Sequence, residues 1–192
     1  MLPLKKLKMN SKSSLTICCI LLFVAVGCSA PQPRKPLNKS INAFLQQSAK
    51  RNKILLAAEQ KQIAEVIATE KKEAYFPSKK GFWYRYKNKD DSGSTFPIKG
   101  DLVKFQYAIY TLKGDLLYDA ATLGAVRYQV DQEDLLPALR EGIKIMKAGE
   151  VVVFLFPSYL CYSYQGDGDK IGINQPLRFE ISLDTIIKTQ TQ

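Results

Sequence analysis

The sequence predicts an α+β fold, an antiparallel sheet wrapped around one short helix and preceded by an N-terminal helix. Three observations predict it. Residues 38–73 contain no Gly or Pro and place Phe44, Leu45, Leu55, Leu56, Ile63, Val66 and Ile67 near helical spacing. From Gly81 onward the apolar period drops to two and turn residues recur every few positions. A single short helical pattern, Leu135-Leu136-Pro137-Ala138-Leu139-Arg140-Glu141-Gly142-Ile143, interrupts those strands.

Taken in order, residues 1–27 read as an export signal. Lys5, Lys6, Lys8 and Lys12 form a basic start, and Leu15–Val26 is an apolar run shorter than the ~20 residues of a membrane span. Ala25-Val26-Gly27-Cys28 resembles a bacterial lipoprotein processing site. That resemblance implies cleavage before Cys28, acylation of Cys28 and a membrane anchor; a plain secretory signal or an uncleaved anchor is the alternative. Residues 28–37 then form a stiff tether carrying Pro31, Pro33 and Pro36. The residues after Cys28, Ser29-Ala30-Pro31-Gln32, are not acidic, which by analogy with lipoprotein sorting points to the outer membrane facing the periplasm. Removing the four lysines ahead of Cys28 takes the formal net charge from +10 to +6, a solvated surface drawn to anionic lipid rather than to nucleic acid.

Ser40 is a candidate N-cap for the helix over residues 38–76, which Pro77, Ser78 and Gly81 end. This helix packs on the domain or stands as a spacer. The alternative is a dimer or a docked partner through residues 38–73. The domain proper occupies residues 81–188. Phe82–Tyr86, Leu102–Tyr110, Leu116–Tyr118, Val126–Val130, Val151–Phe156 and Leu177–Ile187 read as strands, with turns at Asp90–Ser94 and at Lys113-Gly114-Asp115.

The chain has no histidine, which excludes His-based acid–base catalysis, Ser-His and Cys-His nucleophiles and His metal sites. On the lipoprotein reading Cys18 and Cys19 leave with the signal and Cys28 is acylated, which leaves Cys161 no partner for a disulfide. No cofactor is called for. Asp167-Gly168-Asp169 has the start of a calcium loop, but the fifth and twelfth positions hold Ile171 and Arg178 instead of oxygen ligands. It reads as a turn, and no metal site is expected.

In order and spacing, residues 100–187 are similar to the FKBP-type peptidyl-prolyl cis/trans isomerases. The opening strand carries Tyr107. Tyr118-Asp119 matches the family's aromatic–Asp pair. Leu135-Leu136 matches the aliphatic pair ahead of the short helix. Leu139 falls at the cradle floor, which often holds Trp. Pro157…Leu160-Cys161-Tyr162 matches Pro-x-x-Leu-Ala-Tyr, and Pro176–Ile181 matches the last strand. With the export signal, the chain looks most like the gliding-motility-associated lipoprotein isomerases of Bacteroidota.

The resemblance implies a cradle that takes proline-containing polypeptides. It implies catalytic roles for Tyr107, Asp119, Tyr162 and the Leu136 backbone N–H, with Tyr118, Val126, Leu135, Leu139 and Phe179 as binding walls. Rotation about an X–Pro bond makes no covalent link to the enzyme. It needs an apolar hollow that favours the less polar twisted amide, not a nucleophile. Taken singly, Tyr107, Val126, Leu139 and Phe179 also read as ordinary core, Asp119 as a turn residue and Tyr162 as a loop tyrosine. The sequence departs from the family at Leu139, at Ser163 where Gly is usual, and at Ile171-Gly172-Ile173 where Ile-Pro-Pro is common. A binding module without turnover and a structural part of an envelope machine are the competing functions.

Overall fold

The structure is a computed structural model in which residues 39–71, 74–91 and 95–189 are described, the side chains of residues 39–42 excepted. The signal, Cys28, the tether, the Ser40 side chain and most of the Asp90–Ser94 turn lie outside the described residues. The chain divides at Phe44/Leu45, and every contact below lies within the unit Leu45–Gln192.

Helix α1 spans Lys39–Thr69. It ends short of the sequence expectation, and Pro77 is not what stops it. The Thr69 hydroxyl donates back to the carbonyls of Glu65 and Val66 at 2.9 and 2.8 Å, a local bond that competes with the helix ladder. Glu70 then turns away to meet Tyr75 and Arg178.

Seven antiparallel strands follow: β1 (Phe76–Pro77), β2 (Trp83–Asn88), β3 (Leu102–Thr111), β4 (Leu116–Tyr118), β5 (Val126–Gln129), β6 (Val151–Phe156) and β7 (Leu177–Ile187). They run in the order β1-β2-β6-β7-β3-β4, with β5 also paired to β3. The four longest strand expectations hold to within a residue or two at each end. Two short helices accompany them, α2 (Ala120–Leu123) and α3 (Pro137–Ile143), with a 3-10 turn at Ser158–Leu160. The sequence predicts neither α2 nor the 3-10 turn. Helices of three or four residues carry too little apolar period to be seen.

Strand alternation sorts side chains to two faces. Val152, Phe154 and Phe156 of β6 and Phe179, Ile181 and Leu183 of β7 join Leu139, Ile143 and Met146 from α3 and the turn after it in one buried core. Leu155 points the other way, to a second cluster with Ile63, Tyr75 and Leu112, against which Val66, Ile67 and Trp83 pack. So α1 and α3 cover opposite faces of the sheet. Next to the second cluster, Glu70 accepts hydrogen bonds from Tyr75 Oη at 2.7 Å and from Arg178. Burial alone would raise the Glu70 carboxyl, but these bonds hold it below its ordinary value.

Gly142 sets how closely α3 lies on the sheet. A Cβ there would sit 3.3 Å from Phe154 Cζ and 3.4 Å from Ile181 Cδ1. Replacing it with Leu forces overpacking, with an expected loss of about 2 kcal/mol or more in urea denaturation.

Asp101 ties three segments together and is 1% exposed. Its carboxylate accepts from Ile98 N at 2.9 Å, Lys188 Nζ at 2.9 Å and Thr189 N at 3.1 Å. Burial would push this carboxyl up, but the three donors win and hold it below the usual value. The stabilisation from a depressed carboxyl is complete above its unfolded pKa of about 4 and is lost as pH falls through the lower folded value. Thermal melts are therefore expected to drop below pH ~4, and Asp101→Asn is expected to flatten that drop while costing about 2 kcal/mol at neutral pH.

Candidate functional site

Eight of the nine proposed site residues come together. Leu139 and Phe179 lie inside the main core at 2% and 0% exposure, and Tyr107, Tyr118, Val126, Leu135, Leu136 and Tyr162 pack on that core half-buried. The two buried residues lie within that core and the other six pack on its margin. Register explains the arrangement. Tyr107 and Phe179 lie on adjacent strands, Tyr107 opposite Ile181 and Ile109 opposite Phe179. Their rings stack at 6.0 Å between centroids and 9° between planes. Phe179 in turn meets Phe156 edge to face at 5.5 Å. Val126 reaches the site because β5 pairs with β3, opposite Phe105.

Leu135 and Leu136 enter where the chain turns into α3. Leu136 is the N-cap residue, and Pro137 opens the helix without needing a donor. The Leu136 carbonyl takes the first helical bond, from Arg140 N at 3.0 Å. Among the described hydrogen bonds, none uses the Leu136 N–H, which leaves it available to a ligand carbonyl.

Tyr162 follows the 3-10 turn. Its carbonyl accepts from Gln165 N and Gly166 N, both at 3.2 Å, and no described bond engages its hydroxyl. Burial, with the neighbouring Tyr107, Asp167 and Cys161, pushes the phenol up to about 12. It is thus a proton donor throughout the neutral range. Burial likewise raises the Tyr107 phenol. Tyr107 and Tyr162 are therefore uncharged donors in the neutral range, and with the Leu136 N–H they are groups of the kind that can bind a peptide carbonyl without proton transfer.

Asp119 is the residue that departs from its assigned role. It is exposed and caps α2, its carboxylate accepting from Thr122 N at 2.6 Å and Thr122 Oγ1 at 3.0 Å. Those bonds hold its pKa below the ordinary value. The side chain is committed to the helix it starts. It still lies near Tyr107, since both line a shallow hollow of about 290 Å³ along the β3 edge.

The segment carrying Tyr162 is anchored from α1. Glu59 is 2% exposed, and its carboxylate accepts from Ser158 N at 2.8 Å and Ser158 Oγ at 2.6 Å. The Ser158 carbonyl accepts from Cys161 N and Ser163 N, both at 2.9 Å. In the sequence Glu59 only interrupts an apolar stripe, so this anchor was not legible there. Cys161 is buried, and burial with the Glu59 charge pushes its thiol well above its ordinary value, leaving it inert. Beside Glu59, a hollow of about 490 Å³ opens between α1 and the Tyr159–Asn174 loop.

The loop after Tyr162 is also organised by a residue that the sequence reading assigned only to a turn. Asp167 Oδ1 accepts from Asp169 N at 2.9 Å and Ile171 N at 2.8 Å, and its Oδ2 accepts from Tyr118 Oη at 2.5 Å. The Asp-Gly-Asp spacing signals the local Asx turn. Nothing in it signals Tyr118, forty-nine positions earlier.

Residues 93–184 match the family model described as FKBP-type peptidyl-prolyl cis-trans isomerase. Over this segment the chain is similar to that family. A probable FKBP-type peptidyl-prolyl cis-trans isomerase FkpA from Neisseria meningitidis is 35% identical over 88 residues, 45% of this chain. The match spans only 32% of that relative's length. Among solved structures, FkpA from Escherichia coli aligns over 94% of this chain and 84% of its own, at a TM-score of 0.56 and 20% identity. A peptidyl-prolyl cis-trans isomerase from Pseudomonas syringae pv. tomato aligns over 71% of this chain and 96% of its own, at 0.54 and 20%. These two share the fold, N-terminal helix included in the first alignment. The FKBP-type segment contains every proposed cradle residue; Glu59 and the rest of α1 lie before it.

Ser163 follows Tyr162 at the position where FKBP-type chains usually carry Gly, and its φ is +52°. The left-handed backbone explains the usual glycine. Ser163→Gly is expected to raise stability by about 0.5–1 kcal/mol in urea denaturation, the relief of strain outweighing the added freedom of the unfolded chain.

Proposed function

We propose that this protein is a peptidyl-prolyl cis/trans isomerase that assists folding of exported polypeptides. The reading is supported by Tyr107, Tyr162 and Leu136 lying in one apolar cluster with Phe179 and Leu139, with the two phenol hydroxyls and the Leu136 N–H in no described hydrogen bond. The barrier to X–Pro rotation is ~18–20 kcal/mol and comes from amide resonance. A water-poor hollow destabilises the charge-separated planar amide relative to the twisted one, and a donor to the client carbonyl holds the peptide while its bond turns. Each tenfold in rate needs only ~1.4 kcal/mol of such preference. Leu139, in place of a larger ring, leaves less stacking area, so macrolides of the tacrolimus kind bind this cradle weakly.

The same reading extends to cellular placement. The Cys28 anchor would hold the domain at the outer membrane facing the periplasm, with gliding-motility or secretion proteins as clients. The support is the sequence of residues 1–37. Leu45, Ile54 and Leu56 of α1 are 57%, 62% and 39% exposed, which supports a second copy or a partner docking along that helix. A non-catalytic proline-binding module is the second reading, favoured by the commitment of Asp119 to its helix cap.

The deciding measurement is cis/trans exchange of proline peptides by NMR, with the soluble chain from Ser29 onward. Catalysed exchange is expected, and exchange no faster than in buffer would reject isomerisation in favour of the binding module. Tyr162→Phe is expected to lower kcat/KM roughly tenfold, the loss of about one hydrogen bond, while leaving the melting temperature in place.

A further inference from the structure

The loop that follows Tyr162 does not hang free at the cradle mouth. Four contacts join it to β4, the longest from Tyr118 Oη to Asp169 Oδ2 at 3.4 Å. Tyr118 Oη donates to Asp167 Oδ2 at 2.5 Å. Lys170 Nζ donates to the Leu117 carbonyl at 3.0 Å. The same ammonium lies 4.8 Å from the centroid of the Tyr118 ring, over its face. The Tyr118 side chain is thus held at its hydroxyl and covered on one side. Asp167 is also the residue that shapes the loop from within, through the Asp169 and Ile171 amides. Ile171, two residues beyond Asp169, is 3% exposed and belongs to the apolar core on which Tyr107, Tyr118 and Tyr162 pack. The Asp167 charge also helps to raise the Tyr162 phenol, after burial and the neighbouring Tyr107.

We propose that Tyr118 and Asp167 form a latch that fastens the Tyr162–Gln175 loop to the end of β4, making Asp167 a positioning residue for prolyl-peptide binding. A phenylalanine at position 118 would supply the same apolar wall without any fastening, so the hydroxyl has a purpose separate from the ring. With the latch closed, the loop wall is ordered before a client arrives. Without it, part of the binding energy goes to ordering that wall. The cost falls on binding, because the rotating bond sees the same floor and phenols once the wall is in place. The catalytic arm of this inference rests on the isomerase reading above; the loop-order arm does not.

The test is a double-mutant cycle of Tyr118→Phe and Asp167→Asn, read by exchange kinetics on a proline peptide and by amide hydrogen exchange at Asp169 and Ile171. Each single variant is expected to raise KM by roughly tenfold, the worth of a partly exposed bond to a carboxylate. Their kcat should stay within about twofold, and amide exchange should quicken by a similar roughly tenfold factor. The double variant is expected to be no worse than either single one. Unchanged amide exchange in Tyr118→Phe overturns the latch. Effects that multiply in the double variant overturn the pairing, and a fall in kcat at unchanged KM overturns the positioning role. If the wild-type chain shows no isomerisation, that reading falls alone and the amide-exchange cycle decides the latch.

Discussion

The stacking of Tyr107 on Phe179 joins the site to the core. Phe179 is wholly buried between Tyr107 on the neighbouring strand and Phe156 on the other side, so its position is fixed by the sheet and by α3 packing over it. Protein interiors are dense and transmit displacement. A shift of β7 against β3 by one residue would turn Phe179 to the opposite face and take the floor away. The site is therefore an outcrop of the core. Its apolar character follows from the same packing that makes the domain fold.

What stands on that floor is supplied by loops, and each loop is tied down by a polar side chain working at a distance. Glu59 of α1 holds Ser158, whose carbonyl organises the turn into Tyr162. Asp167 holds the return of the same loop to β4. Asp101 gathers the ends of β5 and β7 and the approach to β3. All three carboxylates accept two or three hydrogen bonds, which offsets the cost of removing them from water. Rigid strands alone would leave Tyr162 on an unconstrained segment; these anchors let a phenol on a loop act as a placed donor.

The helix α1 has two characters along its length. Its second half buries Ile63 and supports the outer face of the sheet, while Leu45, Ile54 and Leu56 remain open to solvent. One end of the helix is therefore part of the domain's packing, and the other offers apolar surface that the domain does not use.

Periodicity in the sequence determined the strands and the short helix, because burial on one face of a sheet writes a two-residue alternation that any chain must carry. Motif order singled out Tyr107, Tyr118, Leu135, Leu136, Leu139, Tyr162 and Phe179, which all belong to the main apolar cluster. The unusual Ser163 was visible too, though only the left-handed backbone shows why glycine is the rule there. The reach of Glu59 to Ser158 and the bond from Tyr118 to Asp167 were decided by tertiary structure alone. Each is a single polar contact between a surface or loop position and a partner distant in sequence. Such contacts depend on where loops come to rest, and that placement leaves no periodic trace along the chain.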